Sequence, residues 1–269
     1  MATRTVSVST LEMHITNFCN LACESCSHYS NQGHTGSLSV SDATIMMNGW
    51  GSKIQPETFR IMGGEPTIHP ELCAMVSAAR AAWPNAKIEI VTNGFFLHNH
   101  PDLPKLIKDD GNISIELSIH DHRPEYKNAL SKNFELIEKW QREYGIAVNK
   151  TESYLNWTRR YKGFGTSFRP YTDNNQRKSW EACSAKHCLQ LYNNKLWKCP
   201  PITYLRMQTD KYGLSESSMW KPYLQYDPLS INATYVELKR FVGLQDENIC
   251  AMCPANPERF ELPLPLVEK

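Results

Sequence analysis

The chain has 269 residues, a formal net charge of +1 and 41% hydrophobic residues. Such a length suits one large domain or a medium one with a small companion, and so balanced a charge excludes a dedicated polyanion binder. No apolar signal segment opens the chain and no later apolar run reaches membrane-spanning length, so the sequence predicts a soluble, cytoplasmic protein without a membrane partner.

In chain order, residues 11–16, 58–62, 87–92, 113–119, 145–148 and 165–169 carry short β-like runs. Between them, residues 41–50, 70–83, 101–108 and 130–144 place apolar residues at helical spacing. Asp42 serves the start of the first helix, and Pro70 suits the opening turn of the second. Strands separated by helices predict parallel βα units. About six such units make an α/β fold of the open kind, a partial (β/α)6 TIM-type barrel, here spanning residues 10–170. Ligands of such sheets gather at the carboxyl ends of the strands. The segments 19–26, 63–66, 92–94 and 118–121 all fall at those ends.

From about residue 171 the helical periodicity fades. Residues 189–192, the pair Asn193-Asn194 and residues 195–198 predict a tight hairpin, and residues 232–242 a helix. Five of the nine cysteines lie in this part: Cys183, Cys188, Cys199, Cys250 and Cys253. In a chain of this kind they read as reduced thiols and metal ligands rather than disulfides. Residues 171–269 therefore predict a small second domain, a hairpin and a helix around a metal site.

The most informative run is Cys19-Asn-Leu-Ala-Cys23-Glu-Ser-Cys26, three thiols on one loop. Thiolates at that density hold iron–sulfur clusters or zinc. A cubane [4Fe–4S] cluster has one more iron than this run has thiols, which leaves an iron open to a small molecule. Downstream stands Gly63-Gly64-Glu65-Pro66, with glycines that permit close backbone approach to a ligand. The two motifs together resemble the signature of the radical S-adenosylmethionine (SAM) superfamily.

That resemblance implies a cluster on Cys19, Cys23 and Cys26, with SAM chelating the open iron and the end of the Gly63–Pro66 strand meeting the SAM amino group. It also implies SAM contacts from the turn at Thr92 and Asn93 and from Ser118, although Asn-Gly is an ordinary turn dipeptide. The family usually carries an aromatic residue before the third cysteine, near the adenine. Here that position is Ser25, with His28 and Tyr29 just beyond, so Ser25 and His28 are the candidates for that side of the site. One electron from the cluster would cleave SAM to methionine and a 5′-deoxyadenosyl radical, which takes hydrogen from an unactivated C–H bond. The electron donor implied is a flavodoxin or ferredoxin.

The C-terminal cysteines, flanking a hairpin and then a helix, resemble the twitch domain, the shortened relative of the SPASM domain, which carries one auxiliary [4Fe–4S] cluster. Cys73 lies in a helical stretch and reads as an inert thiol. The five that remain suffice for one further cluster. Cys199, Cys250 and Cys253 are its expected ligands, Cys183 the preferred fourth by the family's spacing, and Cys188 the substitute. In size and layout the chain resembles the 2-deoxy-scyllo-inosamine dehydrogenase type.

Residues 150–178 are basic and aromatic. Arg159, Arg160 and Arg169, with Trp157 and Tyr154, are candidates to grip a small polar or anionic substrate, Arg169 foremost as the end of the last expected barrel strand. One basic stretch in a neutral protein does not argue for nucleic acid. The reading is a radical SAM enzyme, an oxidoreductase (dehydrogenation) or a related tailoring enzyme. Its rivals are a peptide-modifying maturase (cross-link, thioether or epimerisation), which usually needs a recognition domain that the short segment before residue 11 does not accommodate, and a zinc-stabilised binding module without catalysis.

Overall fold

The computed structural model describes residues 4–260. Its strands are β1 (Val6–His14), β2 (Ile54–Met62), β3 (Lys87–Thr92), β4 (Ile113–Ile119), β5 (Ala147–Glu152), β6 (Cys188–Tyr192), β7 (Lys195–Trp197) and β8 (Leu229–Ser230). They form one sheet in the order β5-β4-β3-β2-β1-β6-β7-β8. Strands β1 to β5 pair parallel with their neighbours, as βα units require, and β6 pairs parallel with β1. The crossovers carry α1 (Val40–Gly51), α2 (Leu72–Ala82), α3 (Leu103–Asp110) and α4 (Pro124–Tyr144). Among the described residues no helix is long and apolar enough to cross a membrane.

Local chemistry sets most of these bounds. Ser39 caps α1 by accepting from the Asp42 N–H at 3.0 Å. Pro124 opens α4 at its first turn, and Gly145 closes it at φ 68°. Strand β2 starts four residues before the expected 58 because Pro56, which lacks an N–H, faces Val8 and lies outside the β2–β3 pairing that begins at Thr58. Strand β5 is a polar, largely exposed edge, which hides it from an apolar pattern.

The parallel α/β core is as expected, but its sixth strand is not at residues 165–169. Gly165–Ser167 is a 3-10 turn, and Lys162 and Arg169 pair antiparallel across it. Gly163 and Gly165 both have positive φ (75° and 59°), and a Cβ at Gly163 would lie 2.1 Å from the Ser167 carbonyl oxygen. This reversal turns the alternating pattern of the segment into a loop, burying Phe168 against Trp220 with ring centroids 4.4 Å apart. Arg169 is therefore exposed and not at a strand end. The sixth parallel strand is β6, entered from the far side of β1.

After residue 170 follow α5 (Gln176–Glu181), α6 (Pro200–Thr203), α7 (Leu205–Lys211), α8 (Lys221–Leu224) and α9 (Tyr235–Gly243). The β6–β7 hairpin turns on Asn193 and Asn194 at φ 50° and 56°, the twist a two-residue hairpin favours. Thr234 and Glu237 form a capping box on α9. Two apolar clusters fill the molecule, one between sheet and outer helices and one around Trp197, Tyr204 and Trp220. Tyr29, just past the cysteine loop, belongs to the second and donates to the Pro201 carbonyl at 3.0 Å.

Candidate active site

The inward residues of the sheet form two layers. Glu12, Arg60, Glu89 and Gln190, in register across β1, β2, β3 and β6, make a polar lower layer, which Lys87 links at 3.6 Å to Glu116 on β4. Arg60 Nε donates to Glu89 at 2.7 Å, Lys87 Nζ reaches the same carboxylate at 2.6 Å, and Gln190 donates to Glu12. Burial pushes the Glu12 carboxyl up, while Gln190 and Arg60 oppose that. Two residues further along each strand lie His14, Met62, Val91, Ser118 and Tyr192, which bring the layer to the carboxyl ends. Met62, Val91 and Ser118 line a cavity of about 220 Å³. The sequence signal for these residues is a charged or amide side chain (Glu12, Arg60, Glu89, Glu116 and Gln190) inside an apolar predicted strand, which the apolar pattern passes over.

The cysteine loop roofs this cavity. Cys19, Cys23 and Cys26 line it together, facing Gly63, Gly64 and Glu65 at the end of β2 and Thr92 and Asn93 at the end of β3. The Gly64 and Glu65 N–H groups donate to the Thr16 and Phe18 carbonyls, each at 2.7 Å. A Cβ at Gly64 would stand 2.1 Å from the Phe18 oxygen, and one at Gly63 2.7 Å from the Thr16 oxygen. The glycines are thus demanded by the backbone leading into Cys19, as well as by closeness to the cavity.

Glu65 is buried at 1% exposure. Its carboxylate accepts from the Thr67 N–H (3.0 Å), the Thr67 and Thr92 hydroxyls and the Asn93 N–H (2.7 Å). Burial still pushes its carboxyl up against those bonds. Asn93 Nδ2 in turn donates to Asn20 in the cysteine loop at 2.8 Å. Pro66 is buried and begins the 3-10 turn after Glu65 without lining the cavity. Ser118 lines the cavity and shares a hydrogen bond with Ser153 at 2.6 Å.

Contacts between distant parts of the chain place the remaining side chains around the cavity. His120 Nδ1 lies 3.5 Å from Cys23 Sγ, and burial pulls its pKa down to about 4. Trp157 covers His120 edge-on and donates to the Glu24 carbonyl at 2.6 Å. His28 lines the cavity and packs with His14 and Tyr204, ring centroids 5.1 and 5.5 Å away. Ser25 has φ 61° and accepts from the Arg160 N–H at 2.6 Å, so its hydroxyl is turned to that segment and not to the cavity.

The donor set fits an iron–sulfur cluster. Burial, then Cys26 and Cys19, push the Cys23 thiol well above its ordinary range, and burial raises Cys26. Three such thiols ionise together only beside a cationic metal centre. Among the described residues no group of three or more His, Cys, Asp or Glu side chains is spaced for a single metal ion. A cubane does not require that, since each thiolate ligates its own iron. The family model described as the radical SAM superfamily matches residues 13–148. The chain belongs to the radical SAM superfamily.

Among curated radical SAM relatives, the chain is 28% identical to a probable GTP 3′,8-cyclase of Sulfolobus acidocaldarius, over 48% of this chain and 42% of that one. It is 32% identical to the GTP 3′,8-cyclase of Shewanella denitrificans, over 32% of this chain and 26% of the other. The chain thus spans less than half the length of these relatives. The crystal structure of BtrN in complex with AdoMet and 2-DOIA matches at 14% identity with a TM-score of 0.52, covering 96% of this chain and 98% of BtrN. The two chains thus share a fold over nearly their whole lengths.

Cys183, Cys199, Cys250 and Cys253 line a second pocket of about 80 Å³, and Ser27 lines both this pocket and the first cavity. Burial, reinforced by the Cys183 charge, pushes Cys250 and Cys253 up to about 12. Cys188 opens β6 and does not line that pocket; burial and then Glu12 raise its thiol, with Cys183 near enough to add to the effect. Cys73 is half-buried in α2.

The basic segment does not converge on the first cavity. Arg159 pairs with Glu24 at 3.0 Å and lies over the Phe260 ring, partly exposed. Arg160 reaches the second pocket. Tyr154 packs at a tilt against His122, and of the segment only Trp157 lines the cavity.

Proposed function

We propose that the chain is a radical SAM oxidoreductase with a second, twitch-type [4Fe–4S] centre on Cys183, Cys199, Cys250 and Cys253, dehydrogenating a small, neutral, hydroxylated substrate. In this reading residues 10–170 are the barrel and residues 171–269 the auxiliary unit, of which 261–269 lie outside the described residues. The observation that carries it is the gathering of these four thiols in one pocket that shares Ser27 with the first cavity. BtrN, similar in fold along its whole length, was crystallised with AdoMet and 2-DOIA, which is the precedent for pairing SAM with a small substrate here.

Bound together, SAM and the two clusters would supply the hydrogen-atom acceptor and the one-electron acceptor that turn a carbinol into a carbonyl, with the remaining proton passing to solvent. The chain's own residues supply the frame. Cys19, Cys23 and Cys26 hold the first centre, and Glu65 fixes the ends of β2 and β3 beneath it. Trp157 and His120 close one wall against water. Ser118, Asn93, Asn31 and His28 offer uncharged hydrogen-bonding groups along the lining. The lining contains neither arginine nor lysine among the described residues. A triphosphate substrate, as in the cyclase relatives' name, would ask for such cations, so the neutral reading is favoured over both GTP and an anionic substrate. A flavodoxin or ferredoxin is the expected electron donor.

The test is anaerobic purification with iron and sulfide analysis. We expect about eight irons per chain, and 5′-deoxyadenosine released on adding SAM and a strong reductant. A panel of cyclitols and aminocyclitols should raise that release in step with carbonyl product. Zinc without iron would overturn the proposal, as would release stimulated only by a peptide or a nucleotide.

A further inference from the structure

The segment from Trp157 to Arg160 is stitched to the turn between Cys23 and Cys26. Trp157 Nε1 donates to the Glu24 carbonyl, Arg159 pairs with the Glu24 carboxylate, and the Arg160 N–H donates to Ser25 Oγ at 2.6 Å. Ser25 is buried at 3% exposure and sits at φ 61°, so that bond fixes the one strained position of the cysteine loop. From the same residue the guanidinium turns the other way. Its Nη2 donates to Ser184 Oγ at 2.6 Å, and its Nη1 lies 3.9 Å from Cys183 Sγ. Arg160 is thus in contact with the loop of one cysteine site and with a thiol of the other.

We infer that Arg160 is a positioning residue joining the two sites: its main chain fixes the Cys23–Cys26 turn, and its guanidinium sets the reduction potential of the second centre. This rests on the two-centre reading above. Reduction adds one electron to a thiolate-ligated centre whose ligands already carry negative charge. A cation hydrogen-bonded to a ligand sulfur stabilises the reduced form more than the oxidised one and so raises the potential. The second centre then accepts more readily the electron that leaves the substrate radical. Lys198 lies on the other side of these thiols, its charge close to Cys199 and Cys250, whereas Arg160 is hydrogen-bonded to Cys183 itself.

The test is an EPR-monitored redox titration of the anaerobically reconstituted full chain, taking as the second centre the signal that SAM does not alter. In Arg160→Gln we expect unchanged iron content and a reduced-to-oxidised ratio, at the wild-type midpoint, about tenfold lower, or about 59 mV for a one-electron couple. Arg160→Lys, which keeps the charge but not the fork, should shift less in the same direction. If Arg160→Gln does not hold the second centre, Ser184→Ala is titrated instead. It removes the guanidinium's anchor and no ligand, and should also lower the midpoint. Variants that retain both signals at the wild-type midpoint overturn the arginine assignment alone. A wild type with about four irons and one signal overturns the two-centre reading, and this inference with it.

Discussion

The backbone N–H of Asn93 donates to Glu65 Oε2 at 2.7 Å, tying the end of β3 to the end of β2 under the cysteine loop. Thr92 and Thr67 occupy the other carboxylate oxygen, so one buried acid organises both strand ends.

Glu65→Ala should therefore damage the frame as well as the SAM site. It strands the backbone N–H groups of Thr67 and Asn93, each costing roughly 1–3 kcal/mol when unsatisfied, while the threonine hydroxyls can rotate to other acceptors. We expect a total near 3 kcal/mol, or roughly 6–12 °C in melting temperature, together with weaker SAM binding. Calorimetry of the cluster-free protein separates this from a mere ligand contact, which would leave the melting temperature unchanged.

Gly64→Ala places a methyl 2.1 Å from the Phe18 carbonyl oxygen, one residue before Cys19. The loop must move, and reconstitution should recover only about half the iron. Gly243→Ala, with no atom within 4 Å of its Cβ, is the control and should recover all of it.

The two candidate fourth ligands separate cleanly. Cys183→Ala should lose the second centre, again about half the iron, because that thiol lines the pocket with Cys199, Cys250 and Cys253. Cys188→Ala should keep both centres, since its thiol does not line that pocket. Equal iron in the two variants would refute the assignment.

His14 gives the cluster-free protein a pH dependence. Burial, then the neighbouring His28, hold its pKa well below the usual 6.5, against a backbone bond at Gly63. The folded state keeps the ring neutral while the unfolded chain takes up a proton below about pH 6.5, so this contribution is full above that pH and lost as pH falls. Denaturant unfolding at pH 7, 6 and 5 should show a decline that His14→Phe reduces by up to about 1.4 kcal/mol per pH unit. An identical decline in both proteins would remove His14 from the account.

Arg159→Ala and Arg169→Ala should leave substrate-dependent 5′-deoxyadenosine formation within about twofold of wild type, because the partly exposed Arg159–Glu24 pair is worth roughly 0–1 kcal/mol and neither arginine lines the cavity. Trp157→Ala opens a cavity wall and frees Glu24, and should raise the substrate KM about tenfold, a loss of about 1.4 kcal/mol in binding. The KM values from one assay of all three variants decide it.

The sequence by itself determined the local pieces. Strands β3 and β4 fall where their runs of apolar residues put them, the hairpin turns on Asn193-Asn194, and the spacing of Cys19, Cys23 and Cys26 puts three thiols on one loop. These depend on neighbours a few residues apart, through period, turn geometry and ligand reach. Tertiary structure alone decided that β6 joins β1, that Glu12 meets Arg60, that Cys183 and not Cys188 shares the second pocket, and that Arg169 faces water. Each of these turns on side chains brought together from distant parts of the chain. The bond from Arg160 to Ser25 spans 135 residues, and no local pattern encodes the packing that closes such a gap.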